Sequence, residues 1–315
     1  MGIATADTTI DGPHGPLRLR HYAGEHDHGP SLVWVHGGAF AFGDISMPES
    51  DWVARQLAAR GITVVAVDYQ LSPKIDLTDA RVPPSGGGVH FPVASDEVVA
   101  AFNWTTEHLN EFGCDPSLLS IGGASAGANL AVSALLRLRD AGGPQARSGV
   151  LAYPSLHAVV PPMSTEFDMV VRDLPPILRF PPEIMRVIHL NYVGDEAVLG
   201  NPYAFPGGHD SSGLPPIFIL NSDRDPLRAS GEAFASELGA AGVDTLVVRE
   251  VGTQHGHLND PAATGAVESI ERMAAWLHPG PFLGMRHSDQ RSDRPNGEGS
   301  SKSSLSTTRT AKDQS

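Results

Sequence analysis

Short aliphatic runs alternate along the chain with longer stretches whose apolar residues recur every three to four positions, from about Thr8 to Leu283. Runs of the first kind are Leu32–Val35, Thr63–Val67, Leu118–Gly122, Gly149–Tyr153, Ile217–Leu220 and Thr245–Val251, and each reads as a buried strand. Leu17–Tyr22 alternates apolar with polar and suits an antiparallel edge strand. The spacing predicts helices over Glu49–Ala59, Ser95–Phe112, Ala126–Arg139, Arg228–Ala241 and Ala262–Leu277. Gly61, Gly113 and Gly242 follow three of them as C-terminal stops. Strand and helix in turn imply a mostly parallel central sheet with helices on both faces.

The rhythm breaks between Pro154 and Pro216, where proline pairs recur and only Glu183–Tyr192 offers a short helix. This reads as a cap-like insertion, about residues 157–212, folded over the sheet edge within a domain of residues 1–285. Residues 286–315 are Ser, Thr, Asp, Arg and Gly with almost nothing apolar, a composition that favours disorder. No internal repeat is visible.

Composition changes this picture little. A length of 315 residues and a hydrophobic fraction of 41% suit one large globular domain. No apolar run approaches the roughly 20 residues of a membrane span, and the first residues carry no secretory signal pattern. A formal charge of -14 argues against nucleic acid and anionic membranes as partners. The single cysteine, Cys114, excludes an internal disulfide and fits a cytoplasmic setting.

Chemistry concentrates at the C-terminal ends of the expected strands. Ser125 is centred in Gly123-Ala124-Ser125-Ala126-Gly127, a frame whose small residues permit a sharp strand-to-helix turn that exposes a nucleophilic hydroxyl. The strand Leu32–Val35 runs into His36-Gly37-Gly38, and the N–H groups of such a glycine pair can hold a developing oxyanion. His36 reads as a brace for that loop. A serine needs a base and the base an orienting acid. After Ile217–Leu220 come Asp223 and Asp225, with Asp225 preferred because it directly precedes Pro226 and the helix. After Thr245–Val251 come His255 and His257, with His255 preferred because Gly256 gives its loop room. The order Ser125, Asp225, His255 is that of an α/β-hydrolase. With an unperturbed imidazole as base, activity should fall on the acid side near pH ~6.5.

Together His36-Gly37-Gly38, Asp68-Tyr69-Gln70-Leu71-Ser72-Pro73, Gly123–Leu130, Asp225-Pro226-Leu227-Arg228 and His255-Gly256 make the chain resemble the hormone-sensitive-lipase-like branch of the α/β-hydrolases, the bacterial carboxylesterases, over most of residues 15–280. The resemblance implies an α/β-hydrolase fold and hydrolysis of short- to medium-chain esters through an acyl-serine. It assigns Ser125, Asp225 and His255 to the triad and the backbone of Gly37, Gly38 and Ala126 to the oxyanion hole, with no metal or organic cofactor. It also implies a small-molecule ester as partner and allows a homodimer through the strand Thr245–Val251 or the final helix. Departures from the family pattern are Ala39 for a third glycine, Ala124 for an acid, Gln70 for an arginine and His257 for an aromatic. The family's N-terminal cap helices look mostly absent, and Pro73–Pro92 is longer than the usual link.

Competing readings are a lactonase, amidase or peptidase on this fold, and a ligand-binding protein without turnover, as in the plant gibberellin receptors. The latter resemble the family but lack its histidine. A metal site at His21, Glu25, His26, Asp27 and His28 has suitable residue types without a fixed spacing. A nucleotide site is disfavoured because no Lys-Ser or Lys-Thr follows the glycines near Ser125.

Overall fold

A computed structural model of the protein describes residues 2–25 and 28–279. The tail expected at 286–315 lies outside the described residues, as do His26 and Asp27 of the metal cluster. His21 of that cluster stacks on Phe112 at 4.2 Å.

An eight-stranded sheet runs in the order β1-β2-β4-β3-β5-β6-β7-β8. Its strands are β1 (Thr5–Gly12), β2 (Gly15–Tyr22), β3 (Gly29–Val35), β4 (Thr63–Asp68), β5 (Cys114–Ala124), β6 (Gly149–Ala152), β7 (Ile217–Arg224) and β8 (Thr245–Gln254). β1, β2 and β4 pair antiparallel, and every pairing from β4 to β8 is parallel. β2 is antiparallel as expected but interior, because β1 takes the edge. β1 carries one large apolar side chain, Ile10, and is mostly exposed. Its place is set by backbone pairing to β2 and by the Asp7 carboxylate on the Arg20 guanidinium, contacts that leave no hydrophobic period to read.

Connections decide where a site can form. From β3 the chain steps one way to β4 through α1 (Pro48–Ala58), then reverses across β3 to β5 through α2 (Val93–His108). α3 (Ala126–Asp140) links β5 to β6, and α6 (Arg228–Ala240) links β7 to β8, before α7 (Thr264–Leu277) closes the domain. α1 packs against α7, and α2 against α3. Every residue of β3 is buried, as a strand covered on both faces must be. The reversal between β3 and β5 opens a crevice beyond their carboxyl ends, the usual ligand position in such sheets. Val35 pairs with Gly123, so the loops after these two strands emerge side by side.

Between β6 and β7 lie α4 (Thr165–Arg172) and α5 (Pro182–Val193). α5 covers the expected Glu183–Tyr192 and buries Met185, Ile188 and Tyr192 in the main core. Tyr192 stacks on Phe40 at 3.8 Å, and Asn191 donates to the Pro73 carbonyl at 2.7 Å. α4 was not expected. The Ser164 hydroxyl caps it by accepting from the Phe167 N–H at 3.2 Å, and the Arg228 guanidinium lies 4.0 Å over the Phe167 ring.

Candidate active site

β5 ends at the Gly-x-Ser-x-Gly turn, and the glycines are there because the chain is crowded. A Cβ at Gly127 would lie 2.2 Å from the Val35 carbonyl oxygen, and one at Gly123 would lie 2.5 Å from the Gly127 carbonyl carbon. Strand β5, helix α3 and strand β3 approach so closely that only hydrogen fits. Ser125 between them has φ 53° and ψ -116°, a sparsely populated conformation for a non-glycine residue that costs about 1–3 kcal/mol. It is held by its own N–H donating to the Ala152 carbonyl at 2.9 Å.

The Ser125 hydroxyl lies 2.9 Å from His255 Nε2, and His255 Nδ1 lies 2.7 Å from Asp225 Oδ2. An ionised carboxylate only accepts, so Nδ1 carries the proton and Nε2 presents a lone pair to the serine O–H. Asp225 is fully buried, and its other oxygen accepts from the Leu227 N–H at 2.9 Å. Burial is the largest single influence on His255 and pushes its pKa down. The charge and hydrogen bond of Asp225, with the charge of Glu49, outweigh it and leave the pKa above 6.5.

The two other candidates, Asp223 and His257, are engaged elsewhere. Asp223 Oδ2 accepts from the Gly252 N–H at 3.0 Å, and its other oxygen faces Arg249 at 3.4 Å. His257 is bonded between the hydroxyls of Ser222 and Ser269, at 2.9 and 2.8 Å. Burial, then the neighbouring His255 charge, depress its pKa to about 4. His36 braces its loop, with Nδ1 2.7 Å from the Gly37 carbonyl oxygen and its ring stacked on Tyr69 at 4.4 Å.

The loop after β3 corrects one expectation. The Gly37 N–H donates to Glu49 Oε1 at 2.8 Å, so it is already satisfied and does not serve an oxyanion. Among the described residues, the N–H groups of Gly38, Ala39 and Ala126 donate to no protein acceptor. Gly38 has φ 110°, and a Cβ there would lie 2.1 Å from the Phe42 carbonyl oxygen, so glycine is obligatory. Ala39, in the place of a third glycine, takes the left-handed region at φ 52°. Ala126 opens α3, where the first N–H groups lack intrahelical partners and the helix dipole is positive.

Glu49 went unrecognised in the sequence. It is 2% exposed, and its Oε2 accepts from the Tyr153 hydroxyl at 2.6 Å and from the Asn259 side-chain N–H at 3.1 Å. Tyr153 in turn presents its ring edge-on to His255 at 5.1 Å. One buried carboxylate thus ties the β3 loop, the end of β6 and the turn after His255. An acid in a helix's first turn is too common to signal such a role.

These groups line a cavity of about 380 Å³ bounded by Gly38, Ala39, Ser125, Ala126, His255 and the cap residues Phe180 and Met185. Among the described residues no group of three or more His, Cys, Asp or Glu could hold a metal ion.

Known proteins share the arrangement of the chain. Residues 32–259 match the family described as the alpha/beta hydrolase fold. The sequence is 31% identical over 246 residues to carboxylesterase NlhH of Mycobacterium tuberculosis, covering 78% of this chain and 71% of that one. It is 30% identical over 277 residues to esterase LipI of the same organism, covering 84% and 79%. The solved esterase of Pyrobaculum calidifontis superposes with a TM-score of 0.75 at 30% identity, covering 87% of this chain and 84% of the other.

Proposed function

The chain belongs to the hormone-sensitive-lipase-like branch of the alpha/beta hydrolases and is an ester hydrolase, and we propose that it works through an acyl-enzyme on Ser125. The observation that carries the assignment is the unbroken relay from the Ser125 hydroxyl through both His255 nitrogens to the buried Asp225.

His255 takes the hydroxyl proton on Nε2 as the serine oxygen attacks the ester carbonyl. Asp225 keeps the imidazole in the required tautomer and stabilises its cation. The N–H groups of Gly38 and Ala126 receive the negative oxygen, and the unbonded N–H of Ala39 in the same loop is the third donor. Each such donor contributes about 2.7–4 kcal/mol of barrier lowering. The imidazolium returns its proton to the leaving alcohol, and water repeats the steps to free the acid.

The cavity of about 380 Å³ at Ser125 favours short to medium acyl chains. A panel of nitrophenyl esters from acetate to palmitate, beside the matching anilides, tests this. Shorter esters should be turned over best. A steady rise toward palmitate contradicts the acyl assignment, and anilides hydrolysed as fast as esters point to an amidase.

The hydrolase domain is residues 1–285 in this reading, with the insertion at about 157–212 roofing the cavity. A homodimer through β8 is supported by the exposure of Leu246, Val247 and Val251 on that edge strand. A cytoplasmic setting is supported by Cys114, the single thiol, free and buried. No helix among the described residues is long and apolar enough to cross a membrane.

A further inference from the structure

Within the insertion, bounded also by Pro226, lies a second cavity of about 540 Å³, larger than the one at Ser125. Each is of ligand-pocket size. Phe180 and Met185 line both, so these two side chains form the partition between them. The far chamber is walled by apolar side chains that include Val160, Pro162, Met163 and Val171. Of its polar groups, Arg172 pairs with Asp168, Arg186 pairs with Glu196 outside the wall at 2.7 Å, Arg179 donates from Nε to the Leu174 carbonyl at 2.7 Å, and the buried His189 Nε2 has no hydrogen-bond partner among the described residues. The apolar side chains that make up most of this wall offer a ligand hydrocarbon contact.

Phe180 is held there under strain. Its φ is 42°, although a residue before proline belongs in the extended region and a bulky side chain disfavours positive φ. Such outliers persist where the surroundings impose them, commonly at ligand sites. The result is a ring packed edge-on against the His255 imidazole, with centroids 4.9 Å apart and planes at 75°.

That contact says which half of an ester the chamber serves. The alcohol oxygen must leave within reach of the imidazole that protonates it, while the carbonyl oxygen lies at the backbone amides. The alcohol half therefore projects along the His255 side, toward Phe180. We propose that the far chamber is the binding site for the alkyl group of the ester's alcohol, with Phe180 as the specificity-determining partition that limits its length. This rests on the ester-hydrolase reading. Val159, which also lines the chamber, is 83% exposed and marks an opening by which the freed alcohol can leave.

Hexyl acetate and ethyl hexanoate are isomers that carry the long chain on opposite sides of the ester, so the ratio of their kcat/KM values isolates the alcohol side. Phe180→Ala should raise that ratio about tenfold or more, as expected when several methylenes gain an apolar pocket. Val160→Trp fills the far chamber without touching the serine cavity. It should lower the ratio by a similar factor, through a fall in kcat/KM for hexyl acetate, whose alcohol half is long, rather than a rise for ethyl hexanoate, whose alcohol half is two carbons. If Phe180→Ala does not fold, Phe180→Leu and Val160→Trp carry the test. A ratio unmoved in these variants, or moved in favour of ethyl hexanoate, overturns the inference while leaving ester hydrolysis standing. An unaltered protein inert toward p-nitrophenyl acetate and both isomers removes the underlying reading as well.

Discussion

The Gly37 N–H donates to Glu49 Oε1 at 2.8 Å, so the loop bearing the proposed oxyanion donors is anchored by a buried carboxylate. The same side chain accepts from Tyr153 and Asn259, at 2.6 and 3.1 Å. Replacing it with alanine leaves these donors buried and unpaired and frees the loop. Glu49→Ala should lower kcat toward p-nitrophenyl acetate about 10²-fold, the scale of one lost oxyanion donor. Steady-state kinetics with a folded variant checks this, and a kcat within threefold of the parent contradicts it.

The charge of Glu49 has a separate signature. It acts with Asp225 to hold the His255 pKa above 6.5 against the opposing effect of burial. The base must be unprotonated to act, so the acid limb of kcat/KM should lie above pH 6.5. Glu49→Gln removes the charge and keeps the shape, and it should move that limb to lower pH. A pH–rate profile flat down to about pH 4 contradicts His255 as base.

Stability should respond to acid through other histidines. His189 and His257 are buried, and burial is the main cause that lowers each pKa to about 4. A depressed imidazole favours the fold above the unfolded pKa of about 6.5, and that benefit is lost as pH falls toward 4. At 1.36 kcal/mol per pKa unit, each contributes roughly 3 kcal/mol across the window. His255 has the opposite sign: its raised pKa adds stability below about pH 6.5 that is lost as pH rises through its folded value. Two against one, the urea midpoint should fall between pH 7 and pH 4. His189→Gln, which can still donate to the Ala158 carbonyl, should flatten the slope. An unchanged slope in that variant contradicts the attribution.

The two aspartates after β7 should separate sharply. Asp225→Asn removes the acceptor that fixes the His255 tautomer, and kcat should drop about 10⁴-fold. The Asp223 side chain meets only the Gly252 N–H, the half-buried Arg228 and the exposed Arg249, none of them at the serine or the imidazole, so in Asp223→Asn kcat should change less than fivefold. Equal effects contradict the assignment of Asp225.

How much of this could be read beforehand follows from the range of the interactions. The Ser125 turn was legible because steric crowding forces glycine at Gly123 and Gly127, a constraint written locally in the chain. Asp225 was separable from Asp223 only by its place before Pro226, and burial of Asp225 supplies the physical difference. Glu49 was invisible because its partners Tyr153 and Asn259 are 104 and 210 residues away. The same limit led to Gly37 being counted as an oxyanion donor, since a glycine pair does not reveal which N–H another element has claimed. β1 is hard to read because it carries a single large apolar residue, Ile10, and is held otherwise by backbone pairing and the Asp7–Arg20 ion pair, and α4 because prolines on both sides mask its short apolar stripe of Phe167 and Val171.

The most direct measurement is covalent labelling with a fluorophosphonate, followed by peptide mass mapping and assay of residual ester hydrolysis. One adduct per chain is expected, on Ser125, with hydrolysis lost in step and labelling abolished in Ser125→Ala and strongly slowed in His255→Gln. Ester turnover that survives Ser125→Ala, or an adduct on another residue that tracks the loss of activity, contradicts the triad.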